Sequence, residues 1–313
     1  MAEETHPTEI NKIPIPTWSW LKMNSAFTDF PNDSKTIKTK NEISATRKGE
    51  IFYIPIDFEN EKSYYHEQII TANENSEMTV ILDYTSLSKA AGFSQVRTKL
   101  LAKPFSKIHL VKVQLLGKDF IQVDDTLGEC DENSSIEVTQ IELGGSKIYA
   151  QVKNELRGYA STFRSNTAYI AQDGQFLDMN YVVNHYGKKT DTKMSVKGVV
   201  GEKSSKTYRG TIDFKRGCTE STGDEQEETL LMSDNAVNKS IPIILCDEEN
   251  VSGTHGSSIG RLEEYELFYM QSRGIGEDEA KTMMKKAKIL SVAALIPNET
   301  VISKITDFLS RNR

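Results

Sequence analysis

Cysteine is scarce in this chain. The three present, Cys130, Cys218 and Cys246, lie far apart and form no CxxC pair. That argues against a disulfide framework or an internally complete four-cysteine cluster site, and it fits a reducing compartment. Positive charge is the minority sign: 38 Lys and Arg against 45 Asp and Glu leave a net charge of −7. The basic footprint of a nucleic-acid binder is therefore missing. No apolar run approaches a membrane span, and the start, MAEETHPTEINK, lacks the basic and apolar regions of an export signal. Also missing are a GxxxxGK[ST] phosphate loop, a GxSxG elbow and an HExxH pair. These absences lead to the expectation of a soluble cytoplasmic protein that is not a self-sufficient enzyme.

What is present is organised in three parts. Residues 1–50 read as a polar tail and a short helical or extended segment, with Pro14 and Pro16 ahead of an apolar stretch containing Trp18 and Trp20. Residues 51–270 carry short β-rich runs separated by polar turns, among them Met78–Leu82, Ile108–Val113, Lys147–Val152 and Ile241–Leu245. Only Ser86 to Leu101 offers a helix there. Many short strands at even spacing specify a sandwich, a barrel or a solenoid, and the pattern alone does not choose. Residues 271–313 turn helical. Ala280, Met283, Met284, Ala287 and Leu290 fall on one apolar face, Val301, Ile302, Ile305, Phe308 and Leu309 on a second, with Pro297 between them. Two C-terminal helices are expected, capping the β-body or docking a partner.

The segment from Gly253 to Ile275, GTHGSSIGRLEEYELFYMQSRGI, is the most informative. Gly253, Gly256 and Gly260 permit a tight turn around His255, whose imidazole could present a lone pair to a metal. Tyr265, Leu267, Phe268 and Met270 form an apolar run suited to a buried strand or a first helical turn. Gly274 and Gly276 then break the chain before Glu277-Asp278-Glu279, three acids at the positive end of a helix dipole.

His255-Gly256, Ile259-Gly260-Arg261, Phe268-Tyr269 and Ser272-Arg273-Gly274-Ile275 occur in an order and spacing that resemble the C-terminal core of the SufB/SufD family of iron–sulfur cluster assembly scaffolds, the SufD branch in particular. The resemblance is dense from about Arg157 to Pro297. It implies a right-handed parallel β-helix with C-terminal helices, and a non-catalytic scaffold subunit. Its implied partners are a SufB-like subunit, or a second copy, and a SufC-like ABC-type ATPase. No cofactor is expected to be bound permanently. A transient iron–sulfur cluster at a shared subunit interface is implied, with His255 beside it.

Each residue has a bland reading next to this one. A lone histidine is more often structural, and only the surrounding motif makes His255 a metal or cluster candidate. Glu227 falls about where the resemblance places the essential cysteine of SufB, so it is a weak cluster candidate; as a residue of an acidic stretch it reads as a solvated loop carboxylate. SufD relatives often carry a cysteine two positions before the histidine, where this chain has Gly253. Cys246 reads as a small buried hydrophobe. Arg209 reads as a charged guard on an edge strand, and His185 as structural. Arg273, Gly274, Met283, Met284 and Ala287 mark the region where the resemblance docks the ATPase. Two other classes stay open: a β-solenoid enzyme acting on polysaccharides, and a purely structural interaction protein.

Overall fold

The computed structural model describes residues 7–17, 19–31, 36–261 and 264–311. A short antiparallel pair, β1 (Thr8–Ile10) and β2 (Ala26–Thr28), opens the chain. Period-two alternation then produces sixteen strands in two interleaved sets. One set is β3 (Thr36–Ala45), β5 (Lys62–Ala72), β7 (Ala91–Ala102), β9 (Asp119–Cys130), β11 (Lys147–Leu156), β13 (Phe176–His185), β15 (Ser205–Phe214) and β17 (Val237–Cys246). The other is β4 (Glu50–Phe58), β6 (Glu77–Ser86), β8 (Lys107–Leu115), β10 (Ser135–Glu142), β12 (Thr162–Ala171), β14 (Asp191–Val200), β16 (Ser221–Leu231) and β18 (Val251–Arg261). Each set is an eight-stranded sheet whose neighbours are two elements apart in sequence, and the pairings within it are parallel. The molecule is thus a parallel β-solenoid, which removes the sandwich and the barrel.

Equivalent positions on successive turns lie 26 to 32 residues apart, as the pairs Ile121–Lys147, Asp224–Thr254 and Ser205–Val237 show. The solenoid begins at Thr36, ahead of residue 51, and its last strand ends at Arg261, ahead of residue 270. The helix expected between Ser86 and Leu101 is strand β7. There Ser94, Val96, Thr98 and Leu100 are buried while Arg97 and Lys99 face water, a period of two that outweighs the local helix propensity of Ala90 and Ala91.

The interior between the sheets is filled by Phe58, Tyr84, Phe120, Phe163, Tyr169, Tyr181, Tyr208 and Phe214 with aliphatic neighbours. The outer faces differ. That of the even-numbered sheet carries Ile81, Val111, Val113, Ile141, Ala168, Ile170 and Val199, an apolar stripe covered by helices. Three helices follow the solenoid among the described residues, one more than expected: α1 (Glu264–Ser272), α2 (Glu277–Ala293) and α3 (Glu299–Arg311). Helices α2 and α3 lie against this sheet face through Ile289, Val292, Val301, Ile305 and Leu309, so they cover the side of the coil. Lys304 reinforces the seat by pairing with the buried Asp83 at 2.6 Å. The extra helix is α1. The apolar run there is neither buried nor extended: Tyr265, Phe268 and Tyr269 are all exposed.

Residues 7–17 and 19–31 lie on the outer face of the odd-numbered sheet, where Ala26 joins Phe93, Val123 and Tyr149 in a small apolar cluster. The anchors are mostly polar. Asn180 Nδ2 donates to Lys12 O at 3.2 Å, Tyr149 Oη to Phe27 O at 3.2 Å, and Arg209 Nε to Met23 O at 2.6 Å. Arg209 is therefore a buried anchor in place of the edge guard expected from sequence. Trp20 points to water at 77% exposure instead of packing on the body, and Trp18 lies outside the described residues.

Docking of α3 gives a first prediction. Ile305→Val removes one methylene from the helix–sheet interface, which costs about 1 kcal/mol. A urea-unfolding midpoint that does not move would mean that α3 contributes little to the cooperative core.

Candidate functional site

The last turn of the solenoid is open. Strands β17 and β18 each pair on one side only, with β15 and β16. Period two carries the inward-facing column of β16, namely Gly223, Glu225, Glu227 and Thr229, onto Gly253, His255, Ser257 and Ile259 of β18. His255 thus stands in the column that runs along the solenoid interior, at the point where that column meets solvent. It is on a strand and not in the turn expected from its glycines. Gly253 serves close packing there, since a Cβ would come within 3.0 Å of the Phe214 ring.

Directly beneath His255 lies Glu225, which is 2% exposed. Its carboxylate rests on Gly210, where a Cβ would sit 2.1 Å from Oε1 and would push the carboxylate aside. Burial pushes the Glu225 carboxyl up to about 7, with the nearby Glu227 carboxylate acting in the same direction. The acid can therefore exchange a proton near neutrality.

Glu227 corrects the sequence reading most sharply. It is no solvated loop carboxylate: it sits inside β16 at 3% exposure and pairs with the fully buried Lys206 of β15. It also accepts from Thr229 Oγ1 at 3.1 Å, from Ser240 Oγ, and from Ser257 Oγ at 3.4 Å. Burial lowers the Lys206 ammonium and the Glu227 carboxylate opposes that shift. The rings of Tyr208 and Tyr169 face Nζ at 5.5 and 5.8 Å. Glu228, the next residue, faces out and pairs with Lys288 of α2.

Sequence reasoning missed Lys206, Glu225, Ser240 and Ser257. A signal existed: Lys206 shares a strand face with Tyr208, Ile212 and Phe214, and one cation on an apolar face marks a buried, paired charge. The cysteines are distributed differently from expectation. Cys246 is exposed at the end of β17, its Sγ 3.0 Å from Glu248 O, because the open turn leaves nothing above it; Cys130 and Cys218 are the buried ones. His185 is structural as read, bonded to Thr190 at 2.7 Å and Thr192 at 3.0 Å. Among the described residues, no three His, Cys, Asp or Glu side chains converge as a metal site.

The residues marked for partner docking lie elsewhere, around the α1–α2 junction. Gly274 has φ +84°, the left-handed turn between the helices. The Arg273 guanidinium covers the Tyr269 ring at 5.0 Å and donates to its hydroxyl at 2.9 Å. Met283 and Ala287 are exposed on α2, whereas Met284 is half-buried against the sheet. A broad groove of about 820 Å³ runs along α2 from Asp278 to Lys286, with Met283 in its wall. The structure therefore separates two surfaces: the open turn with His255, and the α1–α2 junction.

Comparison with known proteins agrees with this geometry. Residues 56–288 match the family model described as SUF system FeS cluster assembly, SufBD core domain. The chain is 24% identical over 285 residues to the iron–sulfur cluster assembly protein SufD of Bacillus subtilis, covering 84% of this chain and 64% of that protein. Against SufD of Escherichia coli it is 24% identical over 214 residues, 67% of this chain and 50% of that protein. Against SufB of Bacillus subtilis it is 25% identical over 173 residues, 55% and 37%. The chain thus spans about half the length of these curated relatives. No helix among the described residues is long and apolar enough to cross a membrane.

Proposed function

The chain belongs to the SufBD core family of the SUF iron–sulfur cluster assembly system, and on that premise we propose that it is a non-catalytic, SufD-like scaffold subunit. It pairs through the open edges of β17 and β18 with a SufB-like subunit, or with a second copy where none is present. The cluster is transient cargo at that junction, and His255 supplies one ligand to it. The observation that carries this reading is the exposed imidazole at the end of the interior column, on a strand with one open edge.

Edge chemistry supports the same surface. The opposite end of the solenoid, β3, is guarded by the exposed Lys38 and Lys40, the usual protection against strand addition. Between Val251 and Ile259, by contrast, β18 carries Ser, Gly, Thr and His and no carboxylate, lysine or arginine. Its backbone groups are open to a partner strand. One histidine cannot hold an iron–sulfur cluster alone, so the remaining ligands come from across the interface.

A SufC-like ATPase docks at the α1–α2 junction, on Arg273, Gly274, Met283, Met284 and Ala287. The exposed Tyr265, Phe268 and Tyr269 of α1 extend that surface. Aromatic rings and methionines suit an adaptable protein interface. Because α2 also packs on the solenoid, an ATPase that binds two scaffold states unequally would bias the geometry of the open turn.

The test is co-purification with SufB-like and SufC-like partners, comparing the wild type with His255→Ala. The complex should form with both, and the variant should lose most of its bound iron and sulfide. A variant complex with unchanged cluster content would remove His255 from the ligand set.

A further inference from the structure

We infer that Glu227 is the positioning residue of the open turn: it ties β17 and β18 to the buried Lys206 and so fixes where His255 stands. The inference rests on the scaffold reading only for its consequence, cluster retention; the clamp itself belongs to the chain alone. One carboxylate collects contacts from three other strands. Oε1 pairs with Lys206 of β15, and Oε2 accepts from Ser240 of β17 and Ser257 of β18. Thr229 adds a bond to Oε1 and is itself tied to Tyr169 Oη at 2.9 Å, which links the clamp to β12.

Position matters here. A terminal solenoid turn has neighbours on one side only, so its strands are the first to fray. Ser257 is two residues from His255 on the same inward column, so the hold on Ser257 sets the height and tilt of the imidazole. Hydroxyl-to-carboxylate bonds are stronger than neutral ones, and Lys206 balances the charge that makes them so. A thiol at this position could not do the same, because a single sulfur lacks the two oxygens that face opposite directions. Glu227 therefore orders the edge that the partner meets.

Ser240→Ala/Ser257→Ala tests this with the Lys206–Glu227 pair intact, so the core is not compromised. Glu227→Gln is the second variant, and it also unbalances Lys206. Two readouts are made on the isolated chain: amide hydrogen exchange along the solenoid, and the imidazole NMR signal of His255 after selective histidine labelling. The double variant is expected to exchange about tenfold faster in β17 and β18, the factor for losing hydrogen bonds of ordinary strength. Strands β8 to β12 should be unchanged, and the His255 signal shifted or broadened. Exchange and imidazole signal both unchanged would overturn the clamp. A uniform acceleration of all strands would also overturn it, since the serines would then act on global stability. If His255→Ala retains cluster in the complex while the double variant loosens β18, the ligand reading fails and the clamp stands.

Discussion

Arg209→Ala is expected to lower folding stability by about 3–5 kcal/mol, the range for removing one member of a buried ion pair. Arg209 Nη1 donates to Asp178 Oδ1 at 2.6 Å, and both side chains are 2% exposed. Nε and Nη2 donate to Met23 O and Ser25 O at 2.6 and 3.2 Å. After truncation the Asp178 carboxylate keeps, among the described residues, the amide of Asn11 at 2.7 Å as a donor and the more distant charge of Lys239. Burial already pushes the Asp178 carboxyl up, against the pull of Arg209. Without the guanidinium that upward push loses its main opponent. A raised folded-state value means stability that is present at low pH and lost as pH rises, so the deficit should be larger at pH 8 than at pH 5. The two carbonyls lose their anchor at any pH, which predicts faster proteolysis at Lys22. Arg209→Leu/Asp178→Leu should recover most of the global stability, since the unpaired charge is gone, while cleavage at Lys22 stays fast. Equal protection of the N-terminal segment in all three proteins would show that the apolar contacts of Ala26 hold it without Arg209.

The solenoid was half legible in the sequence, and the missing half has a physical reason. The β-runs stand out because inward residues alternate with water-facing ones, yet that alternation is common to every β architecture. The feature that distinguishes a solenoid is its repeat, and here the repeat hides in a corner. Asn75, Phe105, Asn133, Ala160, Lys189 and Glu220 all have positive φ, and each is followed by a buried hydroxyl: Ser76, Ser106, Ser134, Ser161, Thr190 and Ser221. Ser76, Ser134 and Ser161 turn back to the carbonyl three residues earlier. Only two of the six positive-φ residues are Asn and none is Gly, so the turns lack the usual markers. The buried serines and threonines look polar and therefore surface-like. His255 and Glu227 were legible as positions and misread as environments. Three glycines suggested a turn around His255, whereas Gly253 lies on a strand, its backbone close against the Phe214 ring. The acidic stretch suggested solvent around Glu227 because its counter-ion, Lys206, is 21 residues away and meets it only across the coil.

Glu142 should make the stability of the solenoid fall between about pH 5 and pH 8, and Glu142→Gln should remove most of that slope. The carboxyl is buried on β10, bonded through Oε1 to Gln140 Nε2 at 2.5 Å. The charged groups facing it across the interior are Lys112 of β8 and Asp124 of β9, which pair with each other. Tyr84 of β6 and Tyr181 of β13 feel its charge, and Gln114 and Tyr169 flank it in register. With the ammonium already committed to Asp124, ionised Glu142 would be an uncompensated interior charge. Burial first, and then Asp124, push its carboxyl up to about 8 from the ordinary 4.5. The folded state therefore holds a proton that the unfolded state releases. That stabilisation is complete below the unfolded value and lost as pH rises to the folded one. The slope reaches about 1.4 kcal/mol per pH unit for one proton. Asp124, also pushed up by burial, leaves a residual slope of the same sign in the variant. Urea midpoints measured every half unit from pH 5 to 9 test the assignment. The wild type and variant curves should separate progressively toward pH 8 and then run parallel. Curves that stay parallel throughout would mean that Glu142 is ionised in the fold and that the interior compensates two carboxylates with Lys112 alone.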